Sequence, residues 1–276
     1  MGRKDAILFD IDGVLVDVRR SYIDSIRKTV SLYLDTILGV KARGRGFLTR
    51  ADVDDFKLLG GFNNDWDAVY GLLLYFLGLI RRKRRGDRVL TQNELRRWKN
   101  IPALRKKLPI PCGTPLPSYE LAKDMFQEIY LGARLFRKLY GRDPLFWPGR
   151  GLIHEETPLV PGRILAALRR RGFRLGVVTG RTAFEAHYVL RRFGIARHFS
   201  AVVTHDDVER EEKRARKPLR KPHPYSLLLC LGKLKARSFV YVGDLPDDVK
   251  AAHAAKRQMP GRALGFVYGT DRKGEM

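Results

Sequence analysis

The stretch FDIDGVLVD, residues 9–17, decides how the rest of the chain is interpreted. An apolar run that is typical of a buried strand, AILF at residues 6–9, leads into it. Asp10 and Asp12 come directly after this run, and Gly13 follows them. An ionised carboxylate is costly to bury without a partner, and two close together repel each other. The pair therefore predicts a strand that ends at a site for a divalent cation and a phosphate group.

The chain from about residue 158 onward alternates short apolar runs with helical patterns. The runs are rich in β-branched and aromatic residues, which is typical of parallel strands buried on both faces. These runs are RLGVVT at 174–179, SAVVT at 200–204, SFVYV at 238–242 and LGFVY at 264–268. The helical patterns are at 161–172, 182–194, 223–234 and 246–256. With the strand at 6–9 they predict the α/β class, as a three-layer, doubly wound parallel sheet of the Rossmann-like kind.

Residues 18–157 interrupt this alternation with helical patterns. Those patterns are at 21–38, 66–82 and 119–140. The most apolar segment of the chain, residues 69–80, lies in the second of them and is too short to span a bilayer. We therefore predict a core formed by residues 1–17 and 158–276, with an all-helical domain, residues 18–157, inserted after the first strand.

Polar residues stand near the carboxyl ends of the predicted strands, where ligands bind in a doubly wound sheet. They are Asp10 and Asp12, then Thr179-Gly180-Arg181, then Lys221 in KPHP, and finally Asp244 with Asp247 and Asp248. Taken singly, each has an ordinary alternative. Thr179 can be a helix cap, and Lys221 can be a solvated charge in a basic run. The whole set in this order favours a phosphate site instead.

The types of these residues fit phosphoryl transfer. Asp10, Asp244 and Asp248 offer the hard oxygen ligands that Mg²⁺ prefers. A metal ion lets a carboxylate approach a phosphate dianion, and carboxylates form aspartyl-phosphate intermediates. Residues two apart on a strand share a face, so Asp10 can attack while Asp12 protonates the leaving oxygen and later activates water.

Further residues are predicted to bind the substrate. The Thr179 hydroxyl and the Gly180 amide can bind phosphate oxygens, and Lys221 supplies a compact positive charge. The predicted substrate contacts are Gly180, Arg181, Arg20, Asn63 and Asn64. The two asparagines lie in GGFNNDWD, residues 60–67, which can be a loop that touches the leaving group or a plain helix cap. Arg20 can meet an anionic substrate or be solvated.

Four stretches, taken in order, resemble the motifs of the haloacid dehalogenase superfamily of hydrolases. They are DIDGVL from Asp10 to Leu15, VVTGR at 177–181, KPHP at 221–224 and VGDLPDD at 242–248. The resemblance covers residues 5–17 and about 158–268. The helical insertion resembles the cap of the subfamily that includes phosphoglycolate phosphatases, and such caps close over the site and select the substrate.

The resemblance implies a role for each motif residue. Asp10 is expected to be the nucleophile, Asp12 the general acid and base, Thr179 the phosphate-binding hydroxyl and Lys221 the stabilising lysine. Mg²⁺ is expected to be bound by Asp10, the backbone carbonyl of Asp12, Asp244 and Asp248. Asp247 is a rival of Asp248, and Lys217 is a weaker rival of Lys221.

The formal net charge of +24 should attract anionic substrates or polyanions. Residues 81–107 carry twelve Lys or Arg against two acids. The leading prediction is a phosphoric monoester hydrolase, a Mg²⁺-dependent phosphatase of a small phosphorylated metabolite. The alternatives are a nucleic-acid-end phosphatase or nucleic-acid-binding protein that uses the basic cap, and a phosphomutase. A dehalogenase is disfavoured, because those enzymes lack the second aspartate of the first motif.

The cysteines and the N-terminal region predict the compartment. Cys112 and Cys230 lie far apart and form no CxxC pattern, which favours a reducing cytoplasm. Asp10 interrupts the apolar run that starts at Ile7, so we expect no signal peptide. No membrane association is predicted. The oligomeric state stays open.

Overall fold

A computed structural model describes residues 5–40, 47–58, 65–81, 117–259 and 263–267. The chain forms two compact units. The first unit is Met1–Asp17 with Thr157–Met276, and the second is Val18–Glu156.

The first unit is built on a parallel sheet that has five strands within the described residues. The strands of the unit are β1 (Ala6–Phe9), β2 (Val16–Asp17), β3 (Thr157–Pro158), β4 (Arg174–Val178), β5 (Ala201–Val203), β6 (Phe239–Gly243) and β7 (Ala263–Val267). The order in the main sheet is β5-β4-β1-β6-β7. β1 is therefore central, between β4 and β6, whereas β2 and β3 form a separate antiparallel pair.

Helices connect the strands of the main sheet and make up most of the described second unit. In chain order they are α1 (Tyr22–Thr36), α2 (Arg50–Leu58), α3 (Asp65–Arg81), α4 (Tyr119–Tyr140), α5 (Gly162–Arg170), α6 (Ala183–Arg192), α7 (His205–Ala215), α8 (Tyr225–Leu234) and α9 (Pro246–Gln258). In the first unit α8 packs on β1, β4 and β5, α9 packs on β6 and β7, and α5 packs on β4. The predicted α/β class with a parallel sheet is thereby confirmed.

The core beneath the sheet explains why the strand runs are so apolar. Leu8, Val178 and Val203 are buried from the strand side, and Leu227 and Cys230 from α8. Close packing depends on a glycine in β4, because a Cβ on Gly176 would lie only 2.6 Å from the Cys230 sulfur. Burial also raises the pKa of the Cys230 thiol to about 12, so this cysteine behaves as an apolar core residue.

Two helices and the small antiparallel pair were not predicted. α2 is only nine residues long, and α7, HDDVEREEKRA, buries only Val208. Such a polar helix shows little apolar periodicity. At the start of α7, Asp207 Oδ2 accepts from the Thr204 amide at 3.0 Å and from the Thr204 hydroxyl at 3.2 Å. A Glu209–Lys213 ion pair of 3.3 Å lies along the helix. Strands of two residues, as in β2 and β3, have no periodicity to detect.

The described part of the second unit contains α1 to α4 and a short 3₁₀ turn at Leu152–Glu155. α1 packs against α2, α3 and α4, and α3 also packs against α4. The rings of Tyr22 and Tyr130 stack with centroids 4.4 Å apart. The hydroxyls of Ser21 and Tyr130 both donate to the buried Glu156 carboxylate, at 2.9 and 3.0 Å. These contacts tie the two ends of this unit together.

The most apolar helix is α3, in which the side chains from Ala68 to Leu77 are buried. Its apolar character therefore belongs to the core of the second unit. Over the residues that the structure describes, none of the helices has the length and hydropathy needed to cross a bilayer.

Candidate active site

Three carboxylates meet at the carboxyl ends of two neighbouring strands. Asp10 follows β1, Asp244 follows β6, and Asp248 lies in the first turn of α9. One oxygen from each side chain lies within 4.8 Å of the others. β1 and β6 are parallel neighbours, with Phe9 opposite Val242, so residues that follow these strands meet at the same edge of the sheet. Three hard oxygen donors at this separation are a donor set that suits Mg²⁺.

Asp10 is fixed by the backbone on both sides. Its amide donates to the carbonyl of Val242 at 2.9 Å, which continues the ladder between the strands. Its Oδ1 accepts from the amide of Ile11 at 2.8 Å. Its Oδ2 accepts from Lys221 at 3.2 Å. The residue is 5% exposed, so the carboxylate is buried in a defined orientation.

Lys221 lies between two of the carboxylates. Its Nζ donates to Asp10 Oδ2 at 3.2 Å, Asp248 Oδ1 at 2.7 Å and the Tyr241 hydroxyl at 3.0 Å. An ammonium has three protons, and here each has an acceptor. The Lys221 side chain is 16% exposed. It is therefore not the solvated charge that its basic neighbourhood allowed.

Burial and charge oppose each other at this lysine–aspartate pair. Burial raises the pKa of the Asp10 carboxyl to about 7, Lys221 opposes the rise, and Asp248 and Asp12 add to it. Burial disfavours the charged form of Lys221, but Asp10 and Asp248 outweigh it and hold the pKa well above its usual range. A bound cation would favour ionised Asp10.

Tyr241 completes this buried network and was not predicted. Its hydroxyl lies 2.9 Å from Asp248 Oδ1 and accepts from Lys221. Burial raises the pKa of Tyr241 well above its usual value, with Asp248 adding to the rise, so the phenol stays neutral. A tyrosine within the strand run SFVYV has the pattern of a core residue. The sequence gives no signal of its polar contacts.

The structure brings Asp248, and not its rival Asp247, into the carboxylate group. Asp248 Oδ2 accepts from the amide of Leu245 at 3.1 Å, which begins α9. Gly243 makes room for it, because a Cβ there would lie 2.5 Å from the Asp248 Cβ. Asp247 instead pairs with Lys250 at 3.2 Å.

Gly13 makes room for Asp244 in the same way. Its φ of +70° is favourable for glycine, and a Cβ built on it would lie 2.0 Å from Asp244 Oδ2. Backbone conformation and close approach therefore both require glycine at this position.

Replacing Gly13 with alanine should weaken metal binding and destabilise the protein. The matched control is Gly194→Ala, which has a φ of +67° but nothing within 4 Å of the added Cβ. The control measures the backbone strain alone, about 1 kcal/mol. We expect Gly13→Ala to lose more stability in urea unfolding and to lose the thermal stabilisation by Mg²⁺. Equal losses in both variants, with the Mg²⁺ effect intact, would contradict the role of Gly13.

Thr179 follows β4 and is buried. Its amide donates to the carbonyl of Val203 at 3.0 Å, and its hydroxyl oxygen accepts from the amide of Arg181 at 3.2 Å. The cap of α6 is Thr182, which forms a reciprocal capping box with Glu185. The alternative interpretation of Thr179 as that cap is therefore wrong.

Asp12 lies in the turn after β1 and pairs with Arg181. Asp12 Oδ1 accepts from Arg181 Nε at 2.8 Å and from Nη2 at 2.6 Å. Asp12 is not among the three carboxylates that share the candidate metal site within the described residues. Binding of Mg²⁺ by its backbone carbonyl stays a prediction.

The other predicted site residues are placed as follows. Gly180 is exposed next to Thr179. Arg20 is exposed and belongs to the second unit, as does the predicted loop with Asn63 and Asn64, but these asparagines lie outside the described residues. Lys217, the rival of Lys221, is exposed. Residues 82–107, nearly the whole basic segment, also lie outside the described residues.

Comparison with known proteins finds phosphoglycolate phosphatases among the relatives of this chain. The phosphoglycolate phosphatase of Salmonella typhi is 31% identical over 147 residues, which are 52% of this chain and 51% of that protein. That of Yersinia pseudotuberculosis is 36% identical over 107 residues, which are 38% and 42% of the two chains. The chain thus spans about half the length of the curated relatives it matches.

The similarity in structure extends further along the chain. Phosphatase Tt82 from Thermococcus thioreducens has a TM-score of 0.67 and 25% identity, with 97% of this chain and 94% of that chain covered. The family model of the haloacid dehalogenase-like hydrolases matches residues 4–256, which include all four motifs. The resemblance predicted from those motifs is confirmed, and this chain belongs to the haloacid dehalogenase-like hydrolases.

Proposed function

We propose that this protein is a Mg²⁺-dependent phosphatase that hydrolyses a small phosphorylated metabolite through an aspartyl-phosphate on Asp10. One observation carries the proposal: Asp10, Asp244 and Asp248 share a site, and the Lys221 ammonium bridges two of them. Perturbed groups clustered in this way are typical of catalytic sites.

The residues present fit Mg²⁺ by their chemistry. Asp10, Asp244 and Asp248 would bind it through carboxylate oxygens, with the carbonyl of Asp12 as the proposed fourth protein ligand. When bound, the ion neutralises the carboxylates and the substrate phosphate together. Without it, four acids and two cations, Lys221 and Arg181, leave this site with a formal charge of minus two if all are ionised.

Asp10 is proposed to attack phosphorus. Ile11 fixes its Oδ1 by a hydrogen bond, so the side chain has little freedom to rotate. Such pre-orientation lowers the entropic part of the barrier. Lys221 already contacts Asp10. Its compact positive charge can stabilise the negative charge as it shifts between the Asp10 carboxylate and the phosphoryl group.

Asp12, Thr179 and Gly180 are proposed to complete the reaction. The Asp12 side chain is 31% exposed, so solvent or a leaving group can reach it. It would give a proton to the leaving oxygen and later take one from the attacking water. The Thr179 hydroxyl and the backbone amide of Gly180 would bind the phosphoryl oxygens.

The second unit, residues 18–156, is proposed to act as the cap that selects the substrate, with Arg20, Asn63 and Asn64 as substrate contacts. The curated relatives are named phosphoglycolate phosphatases, so 2-phosphoglycolate is the first compound to test. The inserted unit is long, and its own side chains determine which phosphate ester is accepted.

Magnesium dependence can be tested together with substrate class. We expect the purified protein to release phosphate from p-nitrophenyl phosphate and from some members of a metabolite panel in Mg²⁺, and to lose this activity in EDTA. Adding back Mg²⁺ should restore it, because the carboxylates again have a counter-ion. Mg²⁺ should also raise the melting temperature of the wild type but not that of Asp244→Asn.

The matched control for the metal is Asp247→Asn, which removes an acid that lies outside the carboxylate group. It should keep both the activity and the thermal response to Mg²⁺. Full activity in EDTA would contradict the metal requirement, and no phosphate release from any ester would contradict the function. An isomerised sugar phosphate in place of free phosphate would instead indicate a mutase.

A further inference from the structure

We propose that Arg181 is a positioning residue that holds Asp12 for proton transfer, and that it does not bind the substrate phosphate. This inference rests on the proposed phosphatase function. It changes the role predicted from the sequence for Arg181, that of a substrate contact in the segment Thr179-Gly180-Arg181.

The contacts of the guanidinium carry the inference. Nε and Nη2 of Arg181 both donate to the same oxygen, Asp12 Oδ1, at 2.8 and 2.6 Å. Two charge-assisted bonds to one oxygen hold that oxygen in place, so the carboxylate resists rotation about its bond to Cβ. Asp12 Oδ2 accepts no hydrogen bond from the part of the chain that the structure describes. One oxygen is therefore held, and the other is left to exchange a proton.

The burial of the two side chains supports the same division of roles. The Arg181 side chain is 1% exposed, whereas that of Asp12 is 31% exposed. A substrate can therefore reach Asp12 directly, but it cannot reach the guanidinium without a rearrangement. The Arg181 backbone is also anchored, because its carbonyl accepts from the amide of His205 at 2.8 Å and its amide donates to Thr179.

The charge balance explains why an arginine is needed there. Asp12 follows Asp10 by two residues in the chain, so its carboxylate adds negative charge beside the nucleophile. Once Asp12 has given up its proton, an unpaired carboxylate there would repel the phosphoryl group on Asp10. Arg181 neutralises this charge and leaves one Asp12 oxygen available.

The proposed step is a proton transfer that depends on this orientation. As Asp10 forms its bond to phosphorus and the ester P–O bond breaks, the proton on Asp12 Oδ2 passes to the leaving oxygen and Asp12 becomes a carboxylate. Water then attacks the phosphorus of the aspartyl-phosphate and gives a proton to Asp12. The bond between phosphorus and Asp10 breaks, so phosphate leaves and the Asp10 carboxylate is restored. Arg181 holds Oδ1 through both half-reactions.

The test compares two leaving groups in Arg181→Lys and Arg181→Gln. An alkoxide needs protonation, whereas p-nitrophenolate leaves without it, and kcat/KM reports the first half-reaction. For an alkyl phosphate accepted by the wild type, we expect kcat/KM to fall about 100-fold in Arg181→Gln and about 10-fold in Arg181→Lys. For p-nitrophenyl phosphate, kcat/KM should change much less in either variant.

The control is Arg163→Gln, an exposed arginine on α5, which should keep the wild-type ratio between the two substrates. Equal losses for both substrates would show that Arg181 binds phosphate and would overturn the inference, as would no loss for either. If Arg181→Gln does not fold, Arg181→Lys keeps the charge and carries the test. A wild type that hydrolyses neither ester would refute the proposed function, and the inference with it.

Discussion

Asp10→Asn should abolish phosphate release while the protein stays folded. The amide has nearly the size of the carboxylate, but it is a poor nucleophile toward phosphorus and a poor ligand for Mg²⁺. Loss of the attacking group should lower kcat by more than about 10⁴-fold. The measurement is phosphate release from p-nitrophenyl phosphate in excess Mg²⁺, with Asp247→Asn as the matched control.

The same substitution should stabilise the metal-free protein at neutral and alkaline pH. The pKa of Asp10 rises from 3.8 to about 7 on folding, mainly through burial, so the folded state holds this proton more tightly than the unfolded state does. The wild type therefore loses stability as the pH rises from about 4 to about 7, and Asn does not titrate. Above pH 7 the free energy of unfolding of the variant should exceed that of the wild type by at most about 4 kcal/mol.

Urea unfolding in EDTA at several pH values measures this effect. We expect the variant and the wild type to be similar near pH 4 and the variant to be more stable at pH 8. Mg²⁺ should reverse the order, because it stabilises the ionised wild type. Retained turnover by Asp10→Asn would eliminate Asp10 as the nucleophile.

Lys221→Met should lower both activity and metal-free stability. The methionine has a similar length but no charge, so Asp10 and Asp248 are left buried with Tyr241 and without the ammonium that bridges them. Removing one partner from a buried ionic network costs about 3 kcal/mol or more. Losing the positive charge that stabilises the transferred phosphoryl group should lower kcat by about 10²- to 10³-fold.

The control for this prediction is Lys217→Met, at the exposed lysine that competes for the same motif. It should behave as the wild type in phosphate release and in urea unfolding. The stability loss of Lys221→Met should grow as the pH rises, because the buried Asp10 carboxyl, whose pKa Lys221 lowers, then ionises without that partner. It should shrink when Mg²⁺ is added. A larger effect at Lys217 than at Lys221 would show that Lys217, and not Lys221, is the catalytic lysine.

The sheet of the first unit could be predicted because its strands are buried on both faces. Such strands must be continuously apolar, and the runs at 6–9, 174–179, 200–204, 238–242 and 264–268 lie within about one residue of the observed strands. Helices whose stability comes from caps and ion pairs could not be predicted in the same way. α7 is the example, since it buries only Val208.

The position of the acids could be predicted for a related reason. Carboxyl ends of parallel strands share one edge, so acids that follow β1 and β6 must lie near each other. Asp10, Asp244 and Asp248 do so. The choice of Asp248 over Asp247 depended on helical geometry, because neighbouring residues of α9 point about 100° apart and only one can face the edge.

The sequence by itself determined the fold class, the family, and which acids and which lysine belong to the site. It could do so because buried strands and the order of the motifs leave clear patterns along the chain. Only the tertiary structure decided how those groups pair: Arg181 with Asp12, and Tyr241 with Lys221 and Asp248. These partners are 169, 20 and 7 residues apart, and no periodicity connects them. Pairing of this kind depends on distances of a few ångströms, which are fixed only when the strands and helices pack together.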